Sequence, residues 1–539
     1  VIMISLLLSW FTAITVTPLL GVMFLETPKS DGGSPYDSGF YRMFGGFLRA
    51  CIKVRWLTIA IVITVFGSAV YGFGYVSQSF FPNSTRPQIM VDYWLPQGSS
   101  IETSNEHAAR VEEYLLGLEG VKHVGSIIGQ GAPRFLLTYT PEKANSAYTQ
   151  FLVELDDATY IPKLYDEIQD HLDENFEEAQ GQVRKFILGP GDPGKIQAKF
   201  FGPDPNVLRD LSAKAEAILA SHHDAYGVRN DWRGRVKVLK PVIDKQQASQ
   251  FNISRQEISA LLLQAFEGFS VGVFREGDEL LPIILRASED QRTEVASIRD
   301  LQIYSSAADR TIPLRQVVIG FETVFEDEII QRTNRERAII ALADPRHGEA
   351  PPMLNDVRPI IEAIPLPDGY RLEWWGEYRN SGKAQAALAA SLPAFIGMMV
   401  LITIALFNSL RQTAVIWLVV PLAIIGVTVG LLTTQQPFGF MALLGFLSLS
   451  GMLIKNAIVL IDEINLQREE DKPEIEAVTG AAVSRLRPVA MAAATTILGM
   501  APLFPDAFFV SMAVTIAFGL GFATVLTMVV VPVLYATIF

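Results

Sequence analysis

Seven long apolar segments limit what this chain can fold into more than any other feature of its sequence. They lie at about residues 1–25, 57–76, 392–407, 414–433, 440–464, 488–504 and 510–536. A bilayer core offers the backbone no water to bond with, and a helix of about 20 apolar residues is needed to cross it. We therefore predict a membrane protein built on an α-helical transmembrane bundle with seven crossings, interrupted by a large polar insert over residues 77–391.

The basic residues of the short loops predict how these crossings are oriented, because cytoplasmic loops are enriched in Lys and Arg. The loops at 26–55 and 465–487 are basic and the 408–413 turn carries Arg411, whereas 434–439 and 505–509 contain no Lys or Arg. One alternating topology satisfies all five loops. It places the basic loops in the cytoplasm and residues 77–391 on the opposite side of the membrane.

Within the first basic loop, Phe40–Val54 (FYRMFGGFLRACIKV) mixes aromatic side chains with Arg and Lys at roughly helical spacing. An amphipathic helix lying on the cytoplasmic membrane surface has this pattern. A simple charged linker is equally compatible with it, so both interpretations stay open.

The polar insert has the pattern of an α+β fold, in which strands lead into amphipathic helices and further strands. Four units are predicted in chain order: Gln88–Leu95, helix Thr103–Leu118 and Val121–Ile128; Phe151–Leu155, helix Ile161–Glu178 and Gln182–Leu188; Lys195–Phe201 with helix Asn206–Ser221; and Glu336–Leu342, helix Met353–Ala363 and Tyr370–Trp374. Two β-α-β units make one ferredoxin-like split sandwich. We therefore predict two ferredoxin-like subdomains, the second interrupted by an insertion at about 233–321.

Two local features stand out in that insertion. Ser254 with Glu257 three residues later predicts a capping box at the start of a helix over Ser254–Phe266. The glycine-rich stretch Phe266–Arg275 lacks the ending and the setting of a phosphate-binding loop. An extended hairpin is the better interpretation.

A charged residue inside an apolar segment is the strongest functional signal. Lys455 lies within the segment at 440–464, where a charge costs roughly 2.5–3.5 kcal/mol on insertion scales. Asp462 follows seven residues later, close to the same helical face. Lys455, Asn456 and Asp462 therefore predict a polar face turned toward neighbouring helices, of the kind that moves protons or ions. The alternative is a lysine whose amine extends to the headgroups.

Further polar residues follow at the next predicted crossing. Arg485 and Arg487 lie at its cytoplasmic end, either as topology anchors or as part of a relay, and Thr495 and Thr496 lie inside it. The threonines are weak signals because a hydroxyl can bond a carbonyl of its own helix.

Composition excludes several classes of function. The net charge of −13 argues against nucleic acid as a partner, since phosphate binding needs basic patches. The single cysteine, Cys51, excludes an intramolecular disulfide and a CxxC metal site. No catalytic, nucleotide-binding or zinc motif is found, so we predict no enzyme, no cofactor and no resident metal. Because Val1 opens the sequence within an apolar segment, we expect a fragment of a longer protein.

Several stretches resemble the C-terminal half of a resistance-nodulation-division (RND) efflux transporter of the AcrB-like multidrug type. Ser77–Ser100 is similar to the stretch that leaves the seventh transmembrane helix of that family. GMLIKNAIVLIDEI (Gly451–Ile464) is similar to the tenth helix, Arg485–Leu503 to the eleventh and Val1–Leu25 to the end of the sixth. The likeness runs the full length of the chain.

The resemblance implies a division of the chain into parts. These are the end of the sixth helix (1–25), a cytoplasmic loop (26–55), the seventh helix (56–77), a first pore subdomain (84–190), a second pore subdomain (191–232 and 322–378), a docking or funnel subdomain (233–321) and helices eight to twelve (382–539).

The resemblance also implies a proton-driven homotrimer in the Gram-negative inner membrane, surrounded by lipids, with a large periplasmic portion. It would work with a periplasmic adaptor protein and an outer-membrane channel. Lys455 occupies the position of a lysine that pairs with two aspartates of the missing N-terminal half, and Arg485 that of an arginine in the proton route. The family threonine of the eleventh helix aligns with Ala492, so Thr495 or Thr496 would replace it.

The implied substrates are amphiphilic small molecules such as drugs, detergents or dyes, passing through the cleft between the pore subdomains. Phe135 and Phe151 are the aromatic residues predicted to contact them. Export of metal ions is disfavoured, because the insert contains only Met90 and Met353 and because an acidic residue usually replaces the lysine in that branch. Export of a lipid or hopanoid-like molecule remains an alternative, as does a non-transporting sterol-sensing or secretion-type relative.

Overall fold

The computed structural model describes residues 2–24, 38–189, 191, 194–288 and 295–539. Residues 25–37, which include the start of the predicted cytoplasmic loop, therefore lie outside the described residues, as do residues 289–294 of the predicted insertion. The chain divides into two compact units, Val1–Pro82 with Lys383–Phe539 and Asn83–Gly382.

Three helices open the first unit: α1 (Ile2–Phe24), α2 (Gly39–Lys53) and α3 (Arg55–Phe73). Both α1 and α3 have the length and apolar composition of membrane spans. The helix predicted within Phe40–Val54 is confirmed as α2, which buries Gly45, Leu48 and Ile52. The simple linker is therefore wrong, while the position of α2 at the membrane surface stays a prediction.

The second unit begins with β1 (Gln88–Trp94), α4 (Ile101–Leu116), β2 (Val121–Ile128), β3 (Tyr148–Leu155), α5 (Ile161–Asn175) and β4 (Gln180–Lys185). These strands form an antiparallel sheet in the order β2-β3-β1-β4. Strand β3 starts three residues before its predicted start at Phe151. Thr149 and Gln150 are polar yet buried, each with 1% of its surface exposed, so hydropathy did not reveal this part of the strand.

The rest of this unit consists of β5 (Ile196–Phe201), α6 (Pro205–Ala220), β6 (Ala225–Asn230), β7 (Val236–Ile243), α7 (Lys245–Gln250), α8 (Arg255–Phe266), β8 (Phe269–Glu276), β9 (Glu279–Leu285), β10 (Gln302–Ser305), β11 (Arg310–Pro313), β12 (Val318–Glu326), β13 (Arg332–Thr333), β14 (Glu336–Pro345), α9 (Ala350–Glu362) and β15 (Arg371–Gly376). In the second sheet, β14 lies between β5 and β6, and β15 pairs with the other edge of β5. Counted along the chain as first to fourth, strands β5, β6, β14 and β15 lie side by side in the order second, third, first, fourth. The strands of the first sheet lie in the same order, and the insertion follows β6.

The insertion folds around a small apolar core of its own that includes Ile258, Ile312 and Leu314. Ser254 caps α8 and forms the predicted capping box with Glu257, which is confirmed by hydrogen bonds in both directions. Strands β8 and β9 pair as an antiparallel hairpin, so the hairpin predicted from Phe266–Arg275 is also confirmed.

Six helices follow: α10 (Glu377–Phe407), α11 (Leu410–Val419), α12 (Ala423–Thr434), α13 (Phe440–Glu469), α14 (Glu474–Gly499) and α15 (Val510–Ile538). Helix α10 begins in the second unit, and from Lys383 onward these helices belong to the first. A 3₁₀ turn at Val420–Leu422 joins α11 to α12 in one continuous apolar segment. The described chain thus has seven helical segments long and apolar enough to cross a membrane, the number predicted. Helices α10 and α14 begin before the predicted crossings. Their first turns are polar, so those turns were not part of the apolar segments from which the crossings were predicted.

Helix α15 lies at the centre of this bundle and packs against α12, α13 and α14. Small residues allow the close contacts. A Cβ atom added at Gly519 of α15 would lie 2.3 Å from Leu449 of α13, and one added at Gly426 of α12 would lie 2.4 Å from the Phe518 carbonyl oxygen. Close packing through small residues is typical of helices in membranes.

Candidate functional site

Helix α13 carries its polar residues on two different faces. Asn456 and Glu463 are buried against neighbouring helices, each with 9% of its surface exposed. Lys455 and Asp462 lie on the exposed side of the same helix. Seven steps of about 100° return to nearly the same direction, so each of these pairs shares a face. The expectation that Lys455, Asn456 and Asp462 form one face is therefore wrong, because neighbours in a helix point about 100° apart.

Glu463 is the centre of a polar network between α13 and α14. Its Oε2 accepts a hydrogen bond of 2.6 Å from Arg485 Nη2. Its Oε1 accepts hydrogen bonds from Gln467 Nε2 at 2.9 Å and from Ser484 Oγ at 3.2 Å. A buried carboxylate is tolerated where cations and donors compensate its charge. Arg485 is thus held by a residue that the sequence interpretation did not include.

The two helices approach each other closely beside this network. A Cβ atom added at Gly480 of α14 would lie 2.4 Å from Gln467 Oε1. Because any side chain at this position would displace Gln467, the glycine allows the amide to reach Glu463. The close approach and the ion pair therefore support each other.

A second set of hydrogen bonds connects the same end of α13 to α11 and α15. Gln412 Nε2 donates to Asn465 Oδ1 at 2.8 Å, and Arg468 Nη1 donates to the Tyr535 hydroxyl at 2.8 Å. The Tyr535 hydroxyl also donates to Asn465 Oδ1 at 3.4 Å. This end of α13 is therefore fixed to three helices by polar contacts, in addition to apolar packing.

The predicted relay threonines bond within their own helix. The hydroxyls of Thr495 and Thr496 donate to the Ala492 carbonyl oxygen at 3.0 and 2.9 Å. Neither hydroxyl donates to another helix of the described chain. The structure thus brings Arg485 to Glu463 and leaves Thr495 and Thr496 apart from that pair.

The two predicted substrate-contacting aromatic residues lie in different environments. Phe135 is partly exposed, with its ring centroid 5.1 Å from that of Tyr139 and 5.9 Å from that of Phe186. Phe151 has none of its surface exposed and belongs to the apolar core of the first sheet. Its predicted contact with substrate is therefore wrong for this structure, because the side chain faces α4 and α5 rather than a cavity.

A cavity of about 970 Å³ lies between the two sheets of the second unit. Its lining combines indole rings, aliphatic side chains and charges of both signs, including Trp94, Trp375, Ile330, Arg229, Asp231 and Arg233. Cavities that bind small molecules combine an apolar lining with a few polar groups in this way. Phe135 does not belong to the lining.

Burial perturbs the charged groups of this cavity. The Arg233 guanidinium stacks on the Trp94 ring at 3.7 Å, and burial, followed by the nearby Arg229, lowers the pKa of Arg233 to about 9. Burial raises the pKa of Asp231 to about 7, although its Oδ1 accepts a 2.8 Å hydrogen bond from the Ile340 amide. Perturbed groups around a cavity are typical of a functional site.

Comparison with known proteins places the chain in a family. The model of the AcrB/AcrD/AcrF family matches residues 1–539. The chain belongs to this family of RND transporters. The cobalt-zinc-cadmium resistance protein CzcA of Cupriavidus metallidurans is 25% identical over 90% of this chain and 47% of its own length. The multidrug resistance protein MdtC of Proteus mirabilis is 21% identical over 98% of this chain and 52% of its own.

Solved structures show the same fold. The crystal structure of a heavy metal efflux pump superposes with a TM-score of 0.78 at 21% identity, covering 92% of this chain and 52% of that pump. The RND family expected from the resemblance is confirmed by the family model. The chain spans about half the length of the curated relatives it matches.

In this member of the AcrB/AcrD/AcrF family, the sequence interpretation missed Glu463 and Gln467. A signal was available, because Glu463 follows Asn456 by seven residues and so had to share its face. The lining of the cavity, by contrast, comes from residues distant in the chain, and their juxtaposition has no local signature. Among the described residues, no cluster of three His, Cys, Asp or Glu side chains is placed to hold a metal ion.

Proposed function

We propose that this protein is part of an inner-membrane pump that exports amphiphilic small molecules in exchange for protons. The observation that carries the proposal is the position of Lys455, a cation on the exposed side of an apolar helix. No ion pair of Lys455 is found in the described chain. A charge in this setting needs a partner, since roughly 2.5–3.5 kcal/mol opposes its insertion.

We propose that carboxylates from a segment outside this sequence supply that partner. The chain spans about half the length of its relatives, and the face with Lys455 and Asp462 is free to meet further helices. A nearby ammonium group favours ionised carboxylates. Protonation of those carboxylates would remove the attraction and release the lysine, and this is the step that would couple proton entry to helix movement.

The Glu463–Arg485 pair would transmit such a movement from α13 to α14. Because the pair fixes α13 to α14, a displacement of α13 at Lys455 would carry α14 with it. Arg485 then has a mechanical role in the proton-driven step. Thr495 and Thr496 remain proposed contributors to the proton route on α14.

In the second unit, we assign the two sheets to ferredoxin-like subdomains on their shared strand order. They correspond to the proposed pore subdomains at 84–190 and at 191–232 with 322–378, with the docking subdomain at 233–321. The cavity between them is the proposed substrate site. Indole rings and aliphatic side chains suit the apolar part of an amphiphile, and the arginines and Asp231 suit its polar part. Phe135 remains a proposed outer contact.

The proposed assembly is a homotrimer, embedded in membrane lipids, with a periplasmic adaptor and an outer-membrane channel as partners. Family membership supports this proposal, and the large second unit is the portion that we propose to lie in the periplasm. No enzymatic step is proposed for this chain.

The experiment replaces Lys455 by alanine in the full-length transporter, expressed in a host that lacks its own efflux pumps. We expect dye export to fall to background, with expression and trimer size unchanged. Lys472→Ala, which removes an exposed cation from the loop after α13, is the matched control and should export normally. Undiminished export by the Lys455→Ala protein would refute the proton role.

Export of divalent metal ions is the second candidate, favoured by the names of relatives such as the nickel-cobalt-cadmium resistance protein NccA, 23% identical over 98% of this chain. The two candidates differ in a simple growth test. Cells carrying the full-length transporter should tolerate more dye or detergent but no more cobalt, zinc or cadmium. Tolerance of the metals alone would favour the second candidate.

A further inference from the structure

Helix α2 is held against the bundle by only one of its faces. Gly45, Leu48 and Ile52 are buried on that face. A Cβ atom added at Gly45 would lie 3.5 Å from Val483 of α14, so the two helices are in close contact there. Helix α2 ends at Lys53 and the apolar helix α3 begins at Arg55. Helix α2 is therefore joined directly to a membrane span.

The rest of α2 carries an exposed apolar stripe. Phe40, Met43 and Phe47 are each more than half exposed, at 61%, 67% and 55%. Their spacing places them within about 60° of one another around the helix. Two phenylalanines and a methionine in one line form an apolar surface that no other part of the described chain covers.

A basic strip runs along α2 between the buried face and the apolar stripe. It consists of Arg42, Arg49 and Lys53, which lie within about 40° of one another and are exposed. None of the three forms an ion pair in the described chain. The helix itself contains no acidic residue. The strip therefore presents three uncompensated positive charges.

We propose that this surface of α2 binds acidic phospholipids of the leaflet on its side of the membrane. The apolar stripe lies at the level of the acyl chains, and the basic strip contacts the phosphate groups. Two observations favour lipid over an acidic protein. An interfacial helix combines an apolar stripe with flanking cations, and direct continuity with α3 keeps α2 beside the membrane. Each Lys or Arg near an acidic surface contributes about fivefold in binding.

The test places a fluorescent label at Gly46→Cys in the full-length transporter, with Cys51→Ser and any other cysteine replaced. Position 46 is suitable because an added Cβ atom there has no neighbour within 4 Å. The labelled protein is placed in nanodiscs of phosphatidylcholine with brominated phosphatidylglycerol, or with brominated phosphatidylcholine at the same fraction. Quenching by each lipid measures its presence beside α2. We expect quenching to show at least a fivefold preference for phosphatidylglycerol at low salt.

Combined substitution of Arg42, Arg49 and Lys53 by glutamine should bring this preference to about one. Lys237→Gln, Lys245→Gln and Arg255→Gln together remove three exposed charges from the second unit, and that control should keep the preference. High salt should abolish the preference for phosphatidylglycerol even in the parent protein, whose basic strip is intact, because about 1 M salt shortens the screening length to about 3 Å. Equal quenching by the two lipids at low salt, or no quenching by either, would overturn the proposal.

Discussion

Arg485 of α14 donates a 2.6 Å hydrogen bond to Glu463 of α13, and the glutamate side chain is only 11% exposed. This contact joins the helix that carries Lys455 to the helix that carries Thr495 and Thr496. Gln467 and Ser484 bond the other carboxylate oxygen, so both oxygens of Glu463 are paired. The pair is therefore well placed to hold the two helices in register.

Replacing Glu463 by glutamine should weaken this helix contact. The amide keeps the shape of the side chain but removes the charge that compensates Arg485. Because the Arg485 side chain is 35% exposed, water offsets part of the loss, and we expect destabilisation of about 1–2 kcal/mol. The measurement is the thermal midpoint of the purified full-length transporter, which should fall by a few degrees.

The double variant Glu463→Gln with Arg485→Gln is the control for this interpretation. Removing both partners leaves no uncompensated charge, so the double variant should be more stable than the sum of the two single losses predicts. Strictly additive losses would mean that the two side chains are not energetically coupled.

A second prediction concerns helix packing in the bundle. At Gly426 an added methyl group would lie 2.4 Å from the backbone oxygen of Phe518, which cannot move aside as a flexible side chain can. Gly426→Ala should therefore destabilise the transporter by about 1–3 kcal/mol. Gly397→Ala, where an added Cβ atom has no neighbour within 4 Å, is the matched control. Equal thermal midpoints for the two variants would contradict the packing argument.

Much of this fold could be predicted from the sequence because its signals are local. Long apolar segments marked the spans, and Ser254 with Glu257 marked the start of α8. The alternation of strands and amphipathic helices indicated the element order of the first sheet, and that of the second sheet apart from β6 and β13, which were not predicted. Where polar residues are buried, as at Thr149 and Gln150, the same reasoning placed the start of β3 too late.

The candidate site was harder to predict because its residues act through tertiary contacts. Lys455 was recognised because a cation in an apolar segment is unusual whatever its surroundings. Hydropathy alone cannot tell which of two adjacent carboxylates faces the bundle, and Glu463 was passed over although its spacing from Asn456 places these two residues on one face. Phe151 was chosen for its aromatic side chain, but the packing of α4 and α5 on the first sheet buries it.

A third prediction tests the cavity as the substrate site. Ile330 lines the cavity and is 41% exposed, so a polar substitution there should leave folding intact. Ile330→Asn removes apolar contact with a bound amphiphile, and we expect a rise of about 5–30-fold in the substrate concentration for half-maximal export, equivalent to about 1–2 kcal/mol. The measurement is dye export by the full-length transporter in proteoliposomes.

Ile319→Asn provides the matched control, because Ile319 is exposed in the neighbouring strand β12 and is outside the cavity lining. It should export with the parent's concentration dependence. If both variants behave alike, substrate does not bind at Ile330 and the cavity loses its assignment.

A fourth prediction follows from the carboxyl group in the cavity wall. Burial raises the pKa of Asp231 to about 7 in the folded protein, whereas an aspartate in an unfolded chain titrates near 3.9. The folded state therefore binds more protons between these values, so this group's contribution to stability is full below about pH 4 and is lost as the pH rises through about 7.

Asp231→Asn removes the titration. Because the side chain is only half-buried, we expect the variant to exceed the parent in stability by about 1–3 kcal/mol at pH 8, and by progressively less toward pH 4. Thermal midpoints of the full-length transporter at pH 5, 6, 7 and 8 measure this difference, with the exposed Asp278→Asn as the control for removal of one charge. A difference in thermal midpoint between variant and parent that stays constant from pH 5 to pH 8 would show that burial does not govern the titration of Asp231.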